Sequence, residues 1–594
     1  MSNNMPSFTA HLSRHSHDVN CGFTSTLAPS LIVPQYFDIL QPGDSVYYKT
    51  HAFARLQDIV TAFFGEVQVH IDYFFVPLTM LYTPFGSQLM QTNDELSSAI
   101  SYGDIPDEEK FPLLNVFSSI AELGISEQSE PNTECIGKSL VRLLDALDAN
   151  PYIVFNPAFN HDLPASTPLP VGYASHPKIS PWLFAAYQAI YQDYFRNDNL
   201  ERRDVGSFNF DHCYDTTEFH DIRFLMLHRS YRVSDYFTDI KVSPIASSVN
   251  RMSYQDESFA GDVLTNIENY LGFADEKPNI IGEFRSNYGS NWLSTDSAPV
   301  SDTLNAANIR SLFAVEKYCR IWGRADKTYD DQILAHFGYK VPHDVKHQLT
   351  HLKHYKMVLQ SDPVFATTAY SSDDGQQSLG QVGGQCSGAL NSDGEKFTAP
   401  VHGVFMCVAH VSSIPRYFGT FSKLHNLSSI HDFPMPEYDK LGMQPFYAYE
   451  CMRGQFNDSD DALSVRLGWQ YRYQQFKKKY NRVSVAFSGG YLSNELTSNV
   501  YSPWVLSQIP FPLRENENYP SDPWFSRSQF LPYTSFKQSP YDLNNIMVVP
   551  YDGRWSNDYY ASPWLMFQTD PVIFEFKCDC KKVSWMSETG EPDL

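Results

Sequence analysis

The sequence predicts a mainly β chain, one β-sandwich whose loops have swollen into long, partly helical insertions. Three observations predict it. Aromatic residues reach 15%, with 37 Tyr and 42 Phe, and 37 Pro outnumber 30 Gly, a composition that favours strands joined by ordered loops. Strand patterns gather near both ends of the sequence, and helical patterns fall between them. Hydrophobic residues make up 42% and charged residues only 19%, too apolar a balance for disorder. At 594 residues, a prior of roughly 150 residues per domain would give about four units. Strands early and late with helices inserted fit one sandwich better than domains in series.

Taken in order, Val67, Val69, Ile71, Tyr73 and Phe75 alternate with Gln68, His70 and Asp72 before Pro77. That period of two predicts a half-buried strand. Asp44–Leu56 reads as its neighbour, less cleanly. Helices follow in the middle. Ser180-Pro181 supplies a cap and a first-turn proline, and Leu183, Tyr187, Ile190 and Tyr194 then recur at helical spacing. Ile309, Leu312, Val315, Cys319 and Trp322 form a second stripe, and Thr328-x-x-Asp331 opens a third helix closed by Gly338 and Pro342. Leu140–Leu147 reads as one more, ended by Asn150-Pro151. The apolar run Val404–Val411 suits a fully buried strand, and Val483–Phe487 reads as another. Phe574, Phe576, Cys578 and Cys580 alternate with charged residues in a last strand, while Ser371–Gly388, rich in Ser, Gly and Gln, reads as a long loop.

Charge and cysteine usage exclude several classes. The net charge is −24, against the basic balance of a free-standing nucleic-acid binder. Nine scattered cysteines, at 21, 135, 213, 319, 386, 407, 451, 578 and 580, support neither a zinc site nor a disulfide framework, so a reducing cytosol fits best. The polar start lacks a signal-peptide stretch, and no apolar run reaches the about eighteen residues of a membrane span. Ile136-Gly137-Lys138-Ser139 resembles the end of a P-loop, but Asn132 stands where its first glycine belongs. Asn457–Asp461 resembles a calcium loop without its turn glycine or closing glutamate, so an acidic turn fits better. His11, His15 and His17 fall in an N-terminal arm expected to be mobile. No nucleophile or zinc-protease signature occurs. No catalytic residue, cofactor or metal is therefore expected. Paired carboxylates of a glycosidase cannot be recognised from spacing, so a sandwich hydrolase stays open, as does a sugar-binding module.

One stretch carries a chemical signal. Trp469–Arg482 holds five cations (Arg472, Lys477, Lys478, Lys479 and Arg482), no acids, and five interleaved aromatics including Tyr473. Single-stranded nucleic acid wants this pairing, with cations to neutralise phosphates and flat rings on which bases stack. The alternative is a solvated charge run on an exposed strand. Residues 91–150, by contrast, hold twelve acids and three bases.

Several stretches, in this order, resemble the major capsid proteins of the Microviridae, especially their gokushovirus-like branch. Phe37–Asp44, with its Leu40-Gln41-Pro42-Gly43-Asp44, resembles the approach to the family's first strand, and Tyr73-Phe74-Phe75-Val76-Pro77 matches a family motif. Tyr191–Leu200, Arg229 through Asp235-Tyr236-Phe237-Thr238, Leu304–Arg320 and Tyr329–Gly338 are similar to later segments. So are Gly442-x-Gln444-Pro445 and Trp469-Gln470-x-Arg472-Tyr473. The likeness covers 36–80, 180–240, 300–345, 400–485 and the last strand, and stops over 86–175 and 241–300. After Thr238 the family's Pro-Trp-Pro stretch is replaced by Asp239–Pro244.

The resemblance implies one capsid subunit over 1–594, an eight-stranded jelly roll with strands mainly within 36–80 and 400–585. Insertions would fall near 86–175 (acidic), 176–240 and 300–345 (helical) and 241–300 (variable). It further implies pentamers and a T=1 icosahedral shell around circular single-stranded DNA, assembled in the host cytoplasm. A pilot protein, a small basic DNA-binding protein and a host-surface receptor would be the partners, with no membrane. Against packed phosphate, the acidic 91–150 segment is expected outward and 469–482 inward.

Overall fold

The structure is a computed structural model. It describes residues 13–57, 59, 65–86, 111–116, 119, 142–149, 178–197, 203–213, 218–240, 348–365, 370–372, 375–377, 382–414, 416–417, 420–428, 430–439, 443–447, 450, 466–482, 505–506 and 570–586, with isolated residues between 317 and 338. The expected helices at 300–345, the variable 241–300 and the strand at 483–487 lie outside them, isolated residues apart.

Among the described residues, ten strands build one curled sheet. They are β1 (His15–Asp18), β2 (Cys21–Leu27), β3 (Val33–Leu40), β4 (Ser45–Leu56), β5 (Val67–Pro77), β6 (Thr350–Phe365), β7 (Val382–Asn391), β8 (Glu395–Thr398), β9 (Gly403–Ser413) and β10 (Val572–Ser584). Their order is β1-β10-β4-β7-β6-β5-β9-β3, with β8 beside β4 and β2 beside β10. Every pairing is antiparallel. The sheet turns over along β6, whose Thr350–Leu359 half pairs with β5 while Gln360–Phe365 pairs with β7. Two faces thus meet around one core, in which Tyr48 contacts Tyr73 at 4.5 Å and Phe405 at 5.3 Å between ring centroids. This is a β-sandwich of the jelly-roll kind, and early and late strands share a sheet as expected.

Several expectations need correction. Among the described residues the jelly-roll sheet counts ten strands, of which β1, β2, β6, β7 and β8 fall outside 36–80 and 400–585. His15 and His17 do not sit in a loose arm, because β1 pairs with β10. β4 is not beside β5 but across the core from it, where the Thr50 and Tyr73 hydroxyls lie 2.6 Å apart. The supposed loop Ser371–Gly388 instead holds the short hairpin Tyr370–Ser372 and Gly375–Gln377, then β7. Its glycine content has a packing cause at one position: a Cβ on Gly388 would lie 2.8 Å from the Leu359 side chain and 2.9 Å from the Val358 carbonyl.

A second layer covers the outer side of β5 and β9. Its centre is α1 (Trp182–Ile190), where Pro181 is helical and its carbonyl accepts the Ala185 N–H at 2.8 Å. The helix widens into a π turn over Tyr191–Phe195, so that both Tyr194 and Phe195 reach Phe74. Leu114, Val116, Leu143, Leu144 and Leu147, from the acidic insertion, join the same layer. There the helical residues 142–146 end at Asp148, whose φ of 55° is left-handed. Beyond α1, which is the helix expected in 176–240, the described residues of 203–213 and 218–240 form short 3-10 turns and loop with one two-residue strand. Because β9 is covered on both sides, with Phe405, Cys407 and Ala409 in the sandwich core and Val404, Met406 and Val408 under α1, its run is apolar throughout. For the same reason β5 is buried on both faces, not half-buried.

Candidate nucleic-acid interface and the chain's family

The stretch picked out by charge begins as a strand, Arg466–Tyr471, paired antiparallel with Met443–Tyr447. Gln470 is buried and donates to the Tyr236 carbonyl at 2.6 Å. Tyr473 turns the chain with a left-handed φ of 60°, its N–H donating to Gln444 Oε1 at 2.9 Å. Its ring is only 3% exposed, so it holds the turn rather than offering a face to a base. A helical turn, Gln474–Lys477, follows. Tyr480 packs against Phe237 and Tyr236 at 4.6 and 5.6 Å. Behind it Tyr236 donates to the buried Glu450 at 2.7 Å, and burial raises that carboxyl's pKa despite Lys423 at 3.7 Å.

The structure brings Lys477, Lys478 and Lys479 onto one turn. Lys477 is paired with Asp439 and Lys478 with Asp239, while Lys479 donates to the Gln475 carbonyl at 3.1 Å. Arg472 lies over the Tyr473 ring at 5.2 Å. Arg482 is exposed and lines a cleft with Glu66, Ile414, Arg416 and Asn481. Lys477 and Lys478 therefore meet acids from distant segments, which the local charge count could not reveal.

A second surface escaped the reading of the sequence. On the outer face of β4, Tyr47, Lys49, His51, Phe53 and Arg55 follow one another at every second residue, with Tyr47 43% and Phe53 46% exposed. Register adds Lys396 and Lys581 beside Tyr47, Asp579 beside Lys49, Lys577 beside His51 and Glu575 beside Phe53. The signal is present as period-two alternation within Asp44–Leu56, a stretch that the sequence reading takes only as a neighbouring strand.

Under the second layer lies a polar cluster. Asp72 accepts from His351 at 2.9 Å and His354 at 2.8 Å, and His70 reaches His354 at 3.3 Å and Ser412 at 2.6 Å. His410 stacks on His70 at 4.9 Å, and its buried Nδ1 has no hydrogen-bond partner among the described residues. Burial, with the neighbouring histidines, pushes His70 down to about 3, and burial pushes His410 down to about 4. Burial alone would raise Asp72, but the two histidine hydrogen bonds hold it at about 2. His354 is raised, chiefly by its bond to Asp72.

The P-loop-like and calcium-loop-like stretches lie outside the described residues. Among those described, no group of three or more His, Cys, Asp or Glu is arranged to hold a metal, and no helix is long and apolar enough to cross a membrane. A family model for the phage capsid protein, or F protein, matches residues 6–107 and 168–502. It runs through 241–300, where the motif resemblance stopped, and leaves out 108–167, within the acidic insertion. No curated protein matches the chain. With the β-sandwich in place and most of its length matched, the chain belongs to the F capsid-protein family: it is a structural, non-enzymatic major capsid protein of a Microviridae phage and a component of the virion.

Proposed function

We propose that the subunit assembles through pentamers into a T=1 icosahedral shell around circular single-stranded DNA. Assembly takes place in the host cytoplasm together with a pilot protein and a small basic DNA-binding protein. The observation that carries this reading is the family match over a sandwich loaded on one side with its own insertions, the build of a tile rather than of a free enzyme. A shell subunit buries extended loop surface against its neighbours, as obligate interfaces do. Sedimentation at physiological salt should therefore show pentamers or shells. A stable, cooperatively folding monomer of 67.9 kDa as the sole species would count against it.

The same reading places Arg472, Lys477, Lys478, Lys479 and Arg482 against the genome, with Tyr473 holding their turn, and the acidic 91–150 segment outward. Replacing Lys477, Lys478 and Lys479 with Gln should lower DNA retention and flatten its salt dependence, because fewer counterions are released on binding. Shell formation should survive, since these side chains are on an exposed turn. Normal packaging and retention across a salt series would reduce the stretch to a solvated face.

A further inference from the structure

Of the two outer faces of the sandwich, one is covered by a second layer, and the other presents exposed side chains with no such layer among the described residues. α1, the π turn and Leu114, Val116, Leu143, Leu144 and Leu147 cover β5 and β9, whereas Tyr47, Lys49, Phe53, Arg55, Lys577 and Lys581 stand exposed on β4 and β10. The exposed face is also the wrong sign for this protein. In a chain of net charge −24 it gathers Lys49, Arg55, Lys396, Lys577 and Lys581 around three acids, Glu575, Asp579 and the rim residue Asp18 opposite Lys581. Asp579 is engaged by Lys577 at 2.8 Å and by His51 at 3.3 Å. Lys49, Arg55 and Lys581 have no ion-pair partner among the described residues, and the Lys396 ammonium sits 5.1 Å from the centre of the Tyr47 ring.

We propose that this β4–β10 face is a binding surface for single-stranded DNA, Tyr47 and Phe53 stacking on bases and Lys49, Arg55 and Lys581 contacting phosphates. The inference rests on the reading that the shell encloses a single-stranded genome, and it names a second contact, separate from 472–482. Side chains on one face of a strand recur about every 6.8 Å, close to the reach of one extended sugar–phosphate unit. Aromatic, cation, histidine, aromatic, cation is thus a ladder a single strand can follow. Stacking on exposed rings is tolerant of sequence, as a shell lining requires, and the cations supply a salt-dependent attraction. A duplex hides its base faces and gains only the second of these.

Ultraviolet irradiation of DNA-filled particles, followed by mass spectrometry, tests the face in place. Nucleotide adducts are expected in the peptides spanning 45–56 and 572–584. Adducts confined to other peptides overturn the proposal. So does equal protection of Lys49 and Lys581 from acylation in filled and empty particles, which would make the face a contact between subunits. In solution, dissociated full-length subunits are titrated with a thirty-nucleotide oligo-dT. The Lys49→Gln, Arg55→Gln, Lys581→Gln variant should bind about tenfold more weakly, with a log–log salt slope shallower by about 2. Tyr47→Leu with Phe53→Leu should weaken binding by a similar factor, and Lys49→Arg with Lys581→Arg should retain it. If the unaltered chain fails to bind oligo-dT at low salt, the genome-contact reading falls and the proposal with it. If it binds and the Gln variant matches it in affinity and slope, the face assignment alone falls.

Discussion

Lowering the pH from 7 to 5 is expected to lower the subunit's folding stability, His70 and His410 together contributing a loss of about 4 kcal/mol that His354 partly offsets. Both rings are more basic in the unfolded chain, where a histidine titrates near 6.5, than in the fold, where they sit at about 3 and about 4. A base whose folded pKa is depressed lets the unfolded state bind protons first. Its stability is therefore complete above 6.5 and declines as pH falls towards the folded value, by about 2 kcal/mol per ring at pH 5. His354 works in the other direction. Its folded pKa is raised, so its contribution is present below 6.5 and lost as pH rises through that raised value. Asp72, held at about 2, stays ionised throughout this window and loses its contribution only between about 4 and 2. Lys356, opposite His70 on β6, adds to the pressure against protonating that ring. Against a typical total of 5–15 kcal/mol the net loss is large. Urea midpoints of dissociated subunits at the two pH values measure it, and an unchanged or higher midpoint at pH 5 would sink this account. His410→Phe keeps an aromatic ring beside Phe195 and His70 and should lose about half of the pH dependence.

The second large effect is expected at Arg142. Its guanidinium pairs with Asp570 at 2.6 Å, both side chains only 8% exposed, and also donates to the Thr26 carbonyl. Thr26 in turn donates its hydroxyl to Asp570 at 2.7 Å, and Gln57 donates to the Asp570 carbonyl at 2.7 Å. One ion pair thus joins the acidic insertion, β2 and the approach to β10. Arg142→Met leaves a buried carboxylate without its cation and should cost about 3–5 kcal/mol. The double variant Arg142→Met, Asp570→Leu removes both charges and should recover most of that loss. A double-mutant cycle by chemical unfolding checks it, and additive losses would mean that the pair carries no coupling.

What was legible in the sequence was whatever depends on one strand or helix and its immediate surroundings. The inward set Phe574, Phe576, Cys578, Cys580 could be read because alternation alone decides it, and α1 because its cap and stripe agree. Readings failed where a distant segment decides. His70 and Asp72 look solvent-facing within β5, and nothing nearby says that Tyr194, His351 and His354 will cover them. Gly388 suggests a loop until Leu359 of β6 is brought against it. Lys477 and Lys478 count as bare charge until Asp439 and Asp239 arrive from other loops. The resemblance supplied what periodicity could not, namely that strands over five hundred residues apart belong to one sheet.

That last pairing also has a consequence in time. β10 lies between β4 and the β1–β2 edge, with Leu56 opposite Val572. Closing so long a loop is thermodynamically mild, since the entropy grows only with the logarithm of its length. Synthesis is not logarithmic. At about 5–20 residues per second, β4 waits roughly half a minute to nearly two minutes on the ribosome before its partner strand exists. Throughout that interval Tyr48, Ala52 and Ala54 lack the cover of Phe574 and Phe576, and the strand edge is open to other chains. A chain released before residue 572 can never complete the central sheet, so translation itself sorts finished subunits from fragments before any shell is built.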